Sequence, residues 1–300
     1  MSAHQRLDPN AIAKLGNIQL RAISIVEGFL TGLHRSPYHG FSVEFSQHRQ
    51  YMPGDSLRAL DYKVLAKTGK YFIKQYEEET NLKCWLLVDH SASMGYSSSS
   101  GETSVSKLDY AVSLAAALSL LLLKQRDAVG LLTFNQKVTS VMQPRSAMGW
   151  LDPLLVKLDQ LRPENETKVA TALLDIAERV RRRGMIVLIS DLLEDPDEVL
   201  GGLKALRHIG HDLIVFHVLD PFEINFSYSR DAKFKDLETS EIIPSRPLHL
   251  RSEYRSLMKE FIDTHRHKCR EQFIDYHLFT TDSSYGSALF EFLKRRRLWH

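Results

Sequence analysis

Three side chains spaced two apart, Asp89, Ser91 and Ser93, follow the apolar run Cys84-Trp85-Leu86-Leu87-Val88. One carboxylate and two hydroxyls that leave an extended turn on the same side offer hard oxygen donors, the ligand type that Mg2+ prefers, with space for retained water. No set of thiolates or histidines accompanies them, so zinc and the softer metals fit poorly. The same residues also suit a local turn that caps a helix, and the tripeptide alone leaves both readings open. A second apolar run, Ile186-Val187-Leu188-Ile189-Ser190, likewise leads to an aspartate, Asp191. Between the two runs, Thr167 opens a segment that continues into a helix.

Other chemistries find less support. The nucleophile elbow of serine hydrolases needs Gly-x-Ser-x-Gly, and neither Ser91 nor Ser93 has that frame. No Gly-x-x-x-x-Gly-Lys-Ser/Thr phosphate loop occurs, which argues against an ATPase activity in this chain. His90 lies inside the motif and is expected to point into the neighbouring loop. His265 and His267 are two apart on a predicted helix, hence on different faces, and make a poor chelating pair. Hydrolysis by metal-activated water remains the enzyme alternative, with Glu164, Glu166 and Glu194 as the acids nearest in sequence. The expectation is that the chain is not an enzyme.

These residues need a scaffold that brings distant segments together. From Lys83 onward, apolar runs alternate with helical periods, which predicts crossover units and a doubly wound, mostly parallel sheet flanked by helices. Strands are expected at 83–89, 128–134, 137–142, 185–190, 212–219 and 276–281, and helices at 107–125, 146–161, 169–183, 196–208, 252–273 and 284–297. In such a sheet, ligands collect beyond the carboxyl ends of the strands, where Asp89 and Asp191 fall. Between 221 and 250 the alternation breaks, and Phe234 to Thr239 followed by Ile242-Ile243 suggests a short inserted hairpin. Residues 1–80 read as an α+β extension packed on the domain at 81–300. It has a helix at 11–32, strands at 41–51 and 71–78, and a turn at Tyr51-Met52-Pro53-Gly54-Asp55. Ser97 to Gly101 is expected to be a mobile loop beside the motif.

Composition bounds the function. Lys and Arg number 39 against 37 Asp and Glu, a net charge of +2 that gives no general reason to expect nucleic acid. The basic runs at Arg179–Arg183 and Lys294–Arg297 read as solvent-facing helix ends, without the interleaved aromatics of a nucleic-acid platform. Two cysteines, Cys84 and Cys269, form no disulfide framework, and Met1 to Asn10 is polar, so a cytoplasmic setting is expected. Ala111 to Leu123 is too short to span a bilayer as a helix and reads as a core helix.

The order Asp89-x-Ser91-x-Ser93, then Thr167 before a helix, then Asp191 after a strand resembles the metal-ion-dependent adhesion site of von Willebrand factor type A (VWA) domains. The resemblance implies that Asp89, Ser91, Ser93, Thr167 and Asp191 hold Mg2+, or Mn2+ or Ca2+, directly or through water. Glu166 stands where that pattern usually has glycine. A second set of residues lies upstream: Gly32-x-His34-x-Ser36-Pro37-x-x-Gly40-x-Ser42-x-Glu44-Phe45, Arg49-x-Tyr51-x-Pro53-Gly54-Asp55, Arg58-x-x-Asp61-Tyr62 and Lys70-Tyr71-Phe72-Ile73-Lys74. With the Asp89 motif, these are similar to the bacterial family called domain of unknown function 58, whose members carry a VWA domain. This second resemblance spans nearly the whole chain. It implies a Rossmann-like VWA fold and a metal-dependent protein-interaction module, whose partner supplies an acidic side chain. A MoxR-type AAA+ ATPase is the partner the family suggests, in assembly or remodelling of protein complexes. The alternative is a structural scaffold with a vestigial metal site, in which binding falls to His34, Arg49, Tyr51, Asp55, Arg58 and Asp61. Those six also suit a buried polar network that only holds the extension in place.

Overall fold

The computed structural model describes residues 7–34, 48–50, 65–66, 69, 71–74, 82–98, 104–228, 232–235, 242–245 and 247–296. Its elements begin with α1 (Pro9–Ala13), α2 (Ile18–His34), β1 (His48–Gln50), β2 (Phe72–Lys74), β3 (Lys83–Asp89), α3 (Lys107–Lys124), β4 (Ala128–Phe134) and β5 (Val138–Arg145). They continue with α4 (Leu151–Asp159), α5 (Val169–Arg179), β6 (Met185–Ser190), α6 (Pro196–His208), β7 (Asp212–Leu219) and α7 (Pro221–Asn225). The last are β8 (Ala232–Lys235), β9 (Ile242–Ser245), α8 (Pro247–Glu271), β10 (Asp275–Thr280) and α9 (Tyr285–Arg296). The described residues of 1–32 and 82–300 form one compact unit and those of 33–81 a second, in which β1 and β2 pair antiparallel.

The sheet of the larger unit has the order β10-β7-β6-β3-β4-β5. Every neighbouring pair is parallel except β4 with β5, which a short connection joins as antiparallel neighbours. This is the doubly wound, mostly parallel sheet that the alternating pattern predicts. The chain leaves β3 for β4 on one side and returns to β6 on the other, so the order reverses between β3 and β6. A crevice opens at such a reversal, beyond the carboxyl ends of the two strands. Asp89 ends β3, and Asp191 directly follows β6.

Both faces of the sheet are covered, which explains why β3 and β6 read as continuous apolar runs rather than alternating ones. Trp85 and Leu87 of β3 join Ile186 and Leu188 of β6 in a core with Leu173 and Ile176 of α5 and Leu203 and Leu206 of α6. The alternate residues Leu86, Val88, Val187 and Ile189 are buried as well, and the pleat turns them to the other face. Helix α3 packs against β3 and β4 and is buried around its whole circumference from Tyr110 to Leu123, as a helix apolar on all sides must be. Tyr110 stacks on Tyr285 of α9, with ring centroids 4.7 Å apart.

The expected hairpin before the last crossover is present as β8 paired antiparallel with β9. Three helices differ from expectation in extent. Helix α4, expected at 146–161, spans Leu151–Asp159, because Met148–Trp150 form a separate 3-10 turn ahead of it. Helix α5 stops at Arg179 because Val180 turns out of helical conformation to bury its side chain, leaving Arg181 to Arg183 exposed. Helix α8 starts at Pro247 rather than 252, since proline is well suited to a first helical position that needs no N–H partner. The turn at 51–55, the remainder of the strands read at 41–51 and 71–78, Ser99 to Gly101, and the side chains of His34, Arg49, Tyr51, Asp55, Arg58 and Asp61 lie outside the described residues. No helix among the described residues is long and apolar enough to cross a membrane.

Candidate functional site

Parallel pairing of Val88 with Ile189 sets the next residues, Asp89 and Ser190, side by side at the strand ends. Ser190 Oγ donates to Asp89 Oδ2 at 2.6 Å, and the Ser91 N–H donates to Asp89 Oδ1 at 2.9 Å. The buried carboxylate is thereby fixed from both strands. Past Asp89 the chain makes one 3-10 turn, Ala92–Gly95, that aims its hydroxyls inward. Ser91 Oγ lies 3.1 Å from Ser93 Oγ, which lies 3.3 Å from Thr167 Oγ1. Three of the five residues singled out in the sequence, Ser91, Ser93 and Thr167, therefore form one connected chain of oxygen atoms, and the Ser91 N–H ties the Asp89 carboxylate to it.

Backbone bonds hold the Thr167 loop against the motif. The Ala92 N–H donates to Asn165 O at 2.8 Å, and the Glu164 N–H donates to His90 O at 2.9 Å. Asn165 takes the left-handed conformation, φ 63°, which asparagine tolerates better than most residues. The turn is thus made one position before Glu166, whose carboxylate instead accepts from Gln136 Nε2 at 3.2 Å. His90 points into the neighbouring loop, as expected, with Nδ1 3.1 Å from Arg162 O and Nε2 2.9 Å from Thr139 Oγ1. Glu194 accepts from the Ala170 N–H at 3.0 Å and so satisfies the start of α5.

Asp191 sits at the second strand end, and its loop is strained. Leu192 is left-handed, φ 51°, with its side chain fully buried and its N–H donating to Ser190 Oγ at 3.0 Å. Such a residue costs about 1–3 kcal/mol and persists only where its surroundings impose it. The Asp191 carboxylate is held by a residue that the sequence reading missed. Lys107 Nζ donates to Asp191 Oδ2 at 2.7 Å and to Glu223 Oε1 at 2.7 Å, with the lysine and aspartate side chains both 0% exposed. Tyr96 presents its ring 5.9 Å from the same ammonium. The available signal was position: Lys107 opens α3 behind the Ser106–Asp109 capping box, where a cation opposes the helix dipole and needs an anion to hold it.

The electrostatics follow from burial. Burial, then repulsion from Asp191, pushes the Asp89 carboxyl up to about 7, against the hydrogen bonds from Ser190 and Ser91. Burial acts to lower the Lys107 ammonium, but Asp191 and Glu223 outweigh it and the net direction is upward. Glu223 is itself raised by burial, against the pull of Lys107. Burial lowers His90.

The donor set fits a hard cation. Ligands at adjacent vertices of an octahedral Mg2+ bound at about 2.1 Å are about 3.0 Å apart, close to both hydroxyl spacings. A carboxyl that burial and repulsion hold above the usual carboxylate range would also gain from an adjacent positive ion. Among the described residues, no three His, Cys, Asp or Glu side chains gather at one point, so a cation here would rely on hydroxyls.

The model of the family described as "Protein of unknown function DUF58" matches residues 47–266. An uncharacterized protein of Mycobacterium tuberculosis is 28% identical over 240 residues, covering 78% of this chain and 73% of that protein. Among solved structures, an aerotolerance-related membrane protein from Bacteroides fragilis aligns over 69% of this chain and 94% of its own, at TM-score 0.46 and 18% identity. The VWA domain of SpRpn10 aligns over 70% and 94%, at TM-score 0.40 and 12% identity.

Proposed function

The chain belongs to the DUF58 family, and we propose that it is a metal-dependent protein-interaction module. Asp89, Ser91, Ser93, Thr167 and Asp191 would hold a divalent cation, with Mg2+ the first choice and Mn2+ or Ca2+ the alternatives. The observation that carries this reading is the run of three hydroxyls at 3.1 and 3.3 Å beside the buried Asp89 carboxylate. When bound, the cation offers an unfilled position that prefers an anionic oxygen, here the carboxylate of a partner protein.

The residues of the chain do the positioning. Ser190 and the Ser91 N–H orient Asp89, and the bonds from Ala92 and Glu164 hold the Thr167 loop at the height of the serines. The partner we propose is a MoxR-type AAA+ ATPase, in assembly or remodelling of protein complexes. We assign no catalytic role. Of the groups a hydrolytic mechanism would recruit as base, His90 has both ring nitrogens engaged, Glu166 and Glu194 are engaged with Gln136 and Ala170, and Glu164 is exposed. The reading sets the module in the cytoplasm, in keeping with two unpaired, buried cysteines.

The test is binding of the purified chain to a MoxR-type ATPase from the same genome, in Mg2+ and in EDTA, beside Asp89→Ala. Binding that needs Mg2+ and is lost in a folded Asp89→Ala protein is the expected result. Equal binding in EDTA, or by the variant, would refute the metal-dependent account.

A further inference from the structure

Lys107 delivers a positive charge to the candidate site from within the chain. Its ammonium is fully buried and bonds to Asp191 at 2.7 Å, one of the five oxygen donors a cation would need. The second bond, to Glu223 at 2.7 Å, comes from α7 on the far side of β7 in sequence. A lysine at the first position of α3 gains nothing from the helix, whose dipole it opposes. The helix start is already satisfied, since Ser106 and Asp109 cap each other's backbone N–H groups.

We propose that Lys107 is a resident competitor of the divalent cation: its ammonium neutralises Asp191 and lowers the affinity of the site for metal, and Glu223 sets how strongly by sharing that ammonium. The inference rests on the cation reading given above. An ion pair that served only to tie α3, α7 and the Asp191 loop together would stabilise the fold without governing metal affinity. A competitor makes metal affinity depend on the lysine and on Glu223, with opposite signs. Removing the ammonium leaves Asp191 free and the site more negative. Neutralising Glu223 leaves the ammonium to Asp191 alone and the site more positive. Lowered intrinsic affinity has a functional consequence, because a partner's carboxylate then contributes a larger share of the binding, so that metal occupancy and partner capture are coupled.

The experiment is calorimetric titration of the full chain with Mn2+ and with Mg2+, using wild type, Lys107→Met and Glu223→Gln. Lys107→Met keeps the aliphatic stem and removes the charge. It should bind the cation at least about tenfold more tightly than wild type, and Glu223→Gln at least about tenfold more weakly, because one unit charge about 4 Å from a divalent ion shifts binding by more than tenfold even when screened as in water. If Lys107→Met does not fold, Glu223→Gln decides alone: weaker binding supports the competitor, and unchanged or tighter binding overturns it. Wild-type binding that Lys107→Met leaves unchanged would make the lysine a structural tie and leave the cation reading standing. If wild type and both variants bind neither ion, the cation reading falls and this inference with it.

Discussion

Asp89 accepts two hydrogen bonds and still holds its proton to about pH 7, because burial and the charge of Asp191 act against them. A carboxyl in that condition favours an arriving cation over continued protonation as the pH rises. Behind Asp191, two buried histidines show the opposite behaviour. Burial lowers His217 to about 3 and His265 to about 4, and their rings meet edge to face with centroids 5.7 Å apart. Asp191 raises His217 while Lys107 lowers it, and Lys268 lowers His265 while Asp195 raises it, but burial leads in both. Both rings are neutral in the native state and protonate near the ordinary 6.5 once unfolded. Their contribution to stability is therefore complete above about pH 6.5 and is lost as the pH falls toward about 4 and then 3. Thermal melts from pH 7 to 4 should show a steep fall in midpoint that His265→Phe makes shallower; an unchanged slope would contradict this assignment. Asp89, Ser91 and Ser93 were legible in the sequence because their chemistry lies in one short spacing. Lys107 was not, since its partners are 84 and 116 residues away and its own neighbours are those of an ordinary apolar helix.

Among the elements, α5 and α6 carry the Thr167 loop and part of the core beneath it, and they approach closely at one glycine. A Cβ on Gly202 would lie 2.7 Å from Leu173 Cβ and 3.1 Å from Ala170 O, whereas one on Gly201 would meet nothing within 4 Å. Alanine in an exposed helix interior is about 1 kcal/mol better than glycine, so Gly201→Ala should stabilise by up to that amount. At Gly202 the same gain is opposed by overpacking against a buried Cβ that cannot swing aside, which costs about 1–3 kcal/mol, so Gly202→Ala should destabilise. Denaturant midpoints of the two variants check the contrast, and equal shifts would show that the helices can separate without cost. Sequence reading located the sheet strands well because β3, β4, β6 and β7 each contain a run of mostly apolar residues buried on both faces. It misses the end of α5, where Val180 leaves the helix in order to stay buried, the start of α4, where Met148–Trp150 form a 3-10 turn instead, and the start of α8, where a proline opens a helix within a stretch that lacks alternation.

At the scale of the molecule, a near-neutral chain buries Asp89, Asp191 and Lys107 at the carboxyl ends of β3 and β6, where the winding of the sheet reverses. Lys107 bridges Asp191 and Glu223 there, close to Asp89 and three hydroxyls, and buried charges, which are costly, occur mainly where they are paired in this way. The doubly wound order was foreseeable from the alternation of strands and helices, and so was the location of the crevice. The internal lysine was not, because composition and periodicity do not report which charges face inward. The central claim is that this place takes up a divalent cation. Its most direct test is a thermal melt of chelator-treated protein against added Mg2+ and Mn2+, beside Asp89→Ala. A cation at ten times its dissociation constant stabilises the native state by about 1.4 kcal/mol, which for a domain of this size raises the midpoint by about 2–4 °C. The account predicts that rise in the wild type and none in Asp89→Ala; no rise in the wild type, or an equal rise in the variant, would contradict it.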